Sequence, residues 1–159
     1  MAFAKRALHI EILGADFVKR QLFRGAQAAG DMEPALSDIA DDMMRIMDIQ
    51  FQSQGRRGGG SWAHLSTDWY NRKAELGYDL RILFAEGYLH ESMTVRGSPE
   101  QILEIDGKSL SIDTEVEYAD IHQHGGRGIP ARPFAVFLDT DKARWARMCE
   151  DSLYKAMRG

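Results

Sequence analysis

Between residues 32 and 53, Leu36, Ile39, Ala40, Met43, Ile46, Met47 and Phe51 recur at intervals of three and four. That is the repeat of a single helical face, and it predicts one long helix over 32–53. Ser37, Asp38, Asp41, Asp42, Arg45 and Asp48 fall mostly off the stripe, so the helix has a wet side and a side it must bury. The methionines in the stripe suit core packing, since an unbranched thioether fills irregular gaps. The alternative, a specialised binding groove, asks for more than the pattern supplies. The rest of the chain must therefore provide a layer for this helix to lie on.

Two kinds of element offer themselves. Residues 7–13 alternate as a strand with Leu8, Ile10 and Ile12 on one face, and Phe17, Val18, Leu22 and Ala26 then predict a helix over 15–29. The run 54–60, Gln-Gly-Arg-Arg-Gly-Gly-Gly, breaks regular structure. It reads as a solvated loop or as a segment that is mobile alone and orders against a partner. A helix follows through Trp69, Tyr70 and Leu76, then a short one over Ile82–Ser92 weakened by Gly87. Strands are expected at Met93–Arg96, Gln101–Ile105 and Leu110–Val116, with Asp106-Gly107 as a hairpin turn. Asp139 or Thr140 can cap a last helix carrying Ala143, Trp145, Met148, Cys149, Leu153 and Met157. The expected class is α+β: an antiparallel sheet or meander packed with two or more helices, as one domain over 1–159.

Composition narrows the function classes. Apolar residues make up 44% of 159, enough for a sizeable core, and 20 basic against 24 acidic residues give a net charge of −4. That balance disfavours a DNA-coating domain. One cysteine, Cys149, excludes a disulfide framework or multi-thiolate zinc site. No membrane span or secretory leader is expected, and a soluble protein made in a reducing cytoplasm follows. His122 and His124 would share a face on a strand and could begin a metal site with His64 or His90, but the spacing fits no metal motif. Cys149 sits on an apolar helix side, Ser61 and Ser66 lack a nucleophile-elbow context, and the glycine triplet lacks the Lys-Ser of a phosphate loop. The pairs Asp41-Asp42 and Glu115/Glu117 read as solvated. No enzyme, cofactor or metal is expected.

Three separated stretches carry a resemblance. The first is Gly60-Ser61-Trp62-Ala63-His64-Leu65-Ser66, with Lys73 and Gly77 following. The second is Ile82-Leu83, then Gly87-Tyr88-Leu89-His90-Glu91-Ser92. The third runs Tyr118-Ala119-Asp120-Ile121-His122-Gln123-His124-Gly125 and closes with Ile129-Pro130-Ala131-Arg132-Pro133-Phe134. Together they resemble the virion morphogenesis (tail-completion) family of tailed bacteriophages, of the Mu-like and related kinds, over roughly residues 32 to 157.

The resemblance implies a structural virion protein at the head–tail junction, assembled in the host cytoplasm. It implies a tail terminator that ends tube growth, or a neck protein on the connector side. It further implies a homomeric, commonly hexameric ring whose partners are the tail tube protein and the head connector or neck proteins, with DNA only passing through the lumen and no membrane. Tyr118, His122, Gln123, Gly125, Pro130, Arg132, Pro133 and Phe134 form the motif. In it, each proline fixes φ and stiffens the path that delivers Phe134 to the core. Arg56, Arg57, Gly58, Trp62 and Arg132 are the assembly candidates. For Trp62 a core anchor and an interface residue are both open, as are a local salt bridge or carbonyl clamp and a subunit contact for Arg132.

Overall fold

The computed structural model describes residues 8–11 as a backbone path and residues 32–158; the expected helix over 15–29 lies outside them. The long helix, α1 (Glu33–Gln52), starts with Pro34 in its first turn, where a missing N–H costs nothing. It buries Ile39, Ala40, Met43, Met44, Ile46, Met47, Gln50 and Phe51. The predicted stripe is thus the core face, extended by Met44 and by one polar residue, Gln50. Leu36 packs against the same core from a partly exposed position.

The sheet has three antiparallel strands in the order β1–β3–β2: β1 (Leu8–Glu11), β2 (Gln101–Ile105) and β3 (Leu110–Thr114). Leu8 lies opposite Thr114 on one side of β3, and Gln101 lies opposite it on the other. Every residue of β3 is buried, as expected of the central strand. The hairpin forms where Asp106-Gly107 placed it. Asp106 Oδ1 accepts from the N–H groups of Lys108 and Ser109, each at 2.7 Å.

Around this lie α2 (Thr67–Glu75), α3 (Tyr88–Thr94), α4 (Ala119–His124) and α5 (Asp139–Arg158). α1 packs against α3, α5 and the sheet, so it is the element the others share. Ser66 caps α2 by accepting from the Trp69 N–H.

Four expectations need correction. The helix over Ile82–Ser92 is shorter and later, because Gly87 at φ +90° begins α3 rather than weakening its middle. Met93–Arg96 is no strand: Leu89 and Met93 are one turn apart on the buried face of α3, and Val95 ends it. His122 and His124 lie on a helix, not a strand. In α5 the first-turn acceptor is Asp141, whose Oδ2 takes the Leu138 N–H at 2.8 Å, rather than Asp139 or Thr140.

Candidate functional site

The motif residues converge on one corner of the core. Phe51, at the end of α1, is its hub: Phe134 stacks on it at 5.5 Å between centroids, and Trp62, Phe84 and His90 meet it edge-on at 5.6, 5.9 and 5.1 Å. Phe134 is fully buried. The stiff segment that brings it in is held on all sides. The Pro133 carbonyl accepts from Trp62 Nε1 at 3.0 Å and from Gln50 Nε2 at 2.9 Å. Gln123 Oε1 accepts from the N–H groups of Phe134 and Ala135, both at 3.1 Å, and its Nε2 donates to the Ala135 carbonyl. The Arg132 N–H donates to the His122 carbonyl at 2.6 Å.

Arg132 itself is a carbonyl clamp. Its guanidinium donates to Ala63 O at 3.0 Å and His64 O at 3.2 Å and is buried, so it ties the Trp62 stretch to the proline segment. Trp62 is likewise a buried core anchor. Two glycines make the close approaches possible. A Cβ on Gly55 (φ +92°) would lie 2.5 Å from Trp62 Cδ1, and one on Gly125 (φ +79°) would lie 2.9 Å from the Ala131 nitrogen. The stretch Trp62–Leu65, α4 and residues 129–135 are therefore a single hydrogen-bonded junction built on α1.

The run 54–60 departs from its expected form. Arg56–Gly58 make a 3-10 turn, and Gly58 N–H donates to Gln50 Oε1 at 3.0 Å. Arg57 donates to the Val136 carbonyl at 2.9 Å and pairs with Asp141. The loop is anchored within its own chain, so removing Arg56–Gly59 would not leave stability unchanged as a free loop would. Arg56 and Arg57 separate here: Arg57 is used inside the fold, while Arg56 is exposed.

Asp42, read as solvated, is instead the centre of a polar lock between α1 and α5. It accepts from Arg144 at 2.6 Å and from Trp145 Nε1 at 2.7 Å, while Arg144 also reaches Asp141 at 3.0 Å. Burial alone would raise both carboxyls. The hydrogen bonds from Arg144, Arg45 and Trp145 to Asp42, and from Arg57, the Leu138 N–H and Arg144 to Asp141, outweigh it and hold both below the usual range. A second hidden contact is Lys73, the single buried residue of α2, whose Nζ donates to Arg81 O at 2.6 Å. Burial pulls its ammonium below the usual lysine value, against the pull of Asp79.

The histidine pair does not converge. Residues two apart on a helix point to different sides. His124 pairs with Asp120 at 2.9 Å, in the open. His122 packs edge-on against Tyr118, and its buried Nδ1 has no hydrogen-bond partner among the described residues. Burial, and then the charge of Arg132, depress its pKa. Among the described residues no three His, Cys, Asp or Glu side chains are grouped to hold a metal ion. Cys149 is buried, and burial raises its thiol pKa, as expected of an unreactive side chain.

Sequence reasoning missed the roles of Gln50, Asp42, Asp141 and Lys73, the last of them noted only for its place after the Trp62 stretch. Only Gln50 left a signal, a polar residue three and four places after Met47 and Ile46 on the core stripe. The exposed counterpart of the corner is a groove of about 510 Å³ lined by Trp62, Leu65, Tyr70, Leu80, Ile82 and Arg56, among others. No helix among the described residues is long and apolar enough to cross a membrane.

Residues 15–153 match the family model of the phage virion morphogenesis family. No curated protein and no solved structure matches the chain. The match spans most of the sequence, and the chain belongs to that family.

Proposed function

We propose that this virion morphogenesis protein is a tail terminator: copies of it form a closed ring, hexameric in the functional state, at the head-proximal end of the tail. The ring stops growth of the tail tube and offers its other face to the head connector. DNA passes through the lumen without being gripped, which suits a chain of net charge −4.

The observation that carries this reading is how the motif spends its polar groups. Trp62, Gln50, Gln123 and Arg132 all bond to the chain's own backbone, so the motif's polar groups are spent on a rigid frame. Outside the frame, Trp69, Tyr70, Leu76 and Leu80 remain between 38% and 47% exposed. Apolar groups exposed on α2 and in the stretch just after it suit contact with other subunits. Assembly by stoichiometric contact needs no covalent chemistry.

The test is to inactivate the gene in its phage and image the products. Overlong, unjoined tails that become joinable when purified protein is added are the expected result. Tails of normal length beside heads that cannot accept them would place the protein on the connector side. Intact particles would end both readings.

A further inference from the structure

The Arg132 clamp accounts for hydrogen bonds of the guanidinium but not for its charge. Nε and Nη2 donate to the carbonyls of Ala63 and His64, and no carboxylate pairs with Arg132 among the described residues. The other arginines drawn into the fold are different, since Arg57 meets Asp141 and Arg144 meets Asp42. Lys73 is buried too, but Asp79 is near enough to favour its charge. For Arg132, with 6% of its surface left, burial acts alone and lowers its pKa. An arginine keeps its proton all the same. A buried charge without a counter-ion is a standing cost that two neutral carbonyls repay only in part.

The guanidinium is not sealed from outside. His122 Nδ1 is the one fully enclosed side-chain polar atom without a partner among the described residues. Arg132 Nη1 has no acceptor there either, so it keeps contact with the surface. The clamp thus takes the Nε–Nη2 edge of the planar fork and leaves the end that carries Nη1. Ala63 and His64, whose carbonyls are held, and Pro130 and Ala131, which precede Arg132, are exposed, and none is acidic. One carboxylate suits such an end, since its paired oxygens match paired N–H groups. A phosphate fits less well: these adjoining residues add no second permanent charge, and the chain carries −4 overall.

We infer that Arg132 takes its counter-ion from an adjoining copy of this chain, a carboxylate side chain of which closes onto Nη1 when subunits meet. This rests on the ring reading and names a contact that the ring interface contains. A second copy has such groups to give. Residues 109–126 include no Lys or Arg, and in that stretch Glu115 and Glu117 are exposed and form no ion pair among the described residues. The clamp and the counter-ion are separate uses of one side chain. Because two carbonyls already fix the guanidinium, little rotamer freedom is lost when the partner arrives. A buried, pre-set arginine at a contact is a common binding hot spot.

The test compares the full chain with Arg132→Lys and Arg132→Gln. Both lose the fork that holds two carbonyls and should lower the denaturant midpoint, but only Arg132→Gln loses the charge. Association is read on folded protein, by sedimentation velocity over a concentration series and by capture on purified tail tubes. Arg132→Lys is expected to stay within about tenfold of the wild type, and Arg132→Gln to weaken association about thirtyfold further. Equal weakening by the two would mean that assembly follows the clamp and not the charge, which overturns this contact and leaves the ring reading standing. A wild-type chain that assembles in neither arm would overturn both. Imaging of the assembled wild type at side-chain detail identifies the ligand, with a carboxylate oxygen of an adjoining copy expected about 3 Å from Arg132 Nη1. Water, a DNA phosphate or a carboxylate of the tube protein in that place would overturn the inference.

Discussion

Trp62 and Trp69 are seven residues apart and have opposite fates. Trp62 is 4% exposed and its indole N–H is bonded to Pro133 O, whereas Trp69 is 44% exposed on a helix that buries only Lys73. The difference is not one of residue type or local pattern. Trp62 follows a glycine turn that folds the chain back beneath α1, and a carbonyl held by the proline segment awaits it there. Trp69 is on the first turn of α2, which faces outward. One tryptophan holds the fold, and the other stays at the surface.

The sharpest way to break that contrast is to cut into the junction. Phe134→Ala and Trp62→Ala should each cost about 3–5 kcal/mol, the range for truncating a buried aromatic, read as a lower denaturant midpoint at unchanged slope. Arg132→Ala comes next. It strands the carbonyls of Ala63 and His64 and should cost about 1–3 kcal/mol, where an arginine reserved for a neighbouring subunit would cost the fold little.

A smaller effect is set by pH. His122 has a depressed folded pKa, so the fold favours its neutral form. Stability should be full above the ordinary histidine value of about 6.5 and fall as pH drops from there through the folded value. His122→Gln should remove that limb of the profile in chemical denaturation. The lowered Asp42 and Asp141 give a separate loss as pH falls below about 3.9 and through their folded values. His122→Gln should leave that loss in place. The smallest change should come from Trp69→Ala, within about 0.5 kcal/mol of wild type in the same titration.

These differences track what the sequence could reveal. α1 and the Asp106-Gly107 hairpin were legible because their signals are local: a repeat of 3.6, and a turn pair between alternating runs. Gly87 misled because a glycine in a helical pattern reads as a weakness, whereas here its positive φ starts the helix. Val95 and Met93 imitated a strand because two apolar residues with one between them fit the period of two, whereas the helical partner of Met93 is Leu89, four places back. In the corner, Phe134 was legible from the prolines that stiffen its approach. Arg57 and Arg132 were not, since their acceptors lie 79 and 69 residues away and no local spacing encodes such partners. Asp42 hid for the same reason, its partner Arg144 being 102 residues off.

The proposed function requires that the corner hold the fold and that the outward face near α2 serve assembly. Trp62→Ala and Tyr70→Ala test it most directly when melting temperature and joining of purified tails to heads are measured on the same preparations. The account predicts that Trp62→Ala lowers the melting temperature by on the order of 10 °C. It predicts that Tyr70→Ala melts with the wild type yet fails to complete tails. A Tyr70→Ala protein that joins tails as well as the wild type, or a Trp62→Ala protein with an unchanged melt, would contradict it.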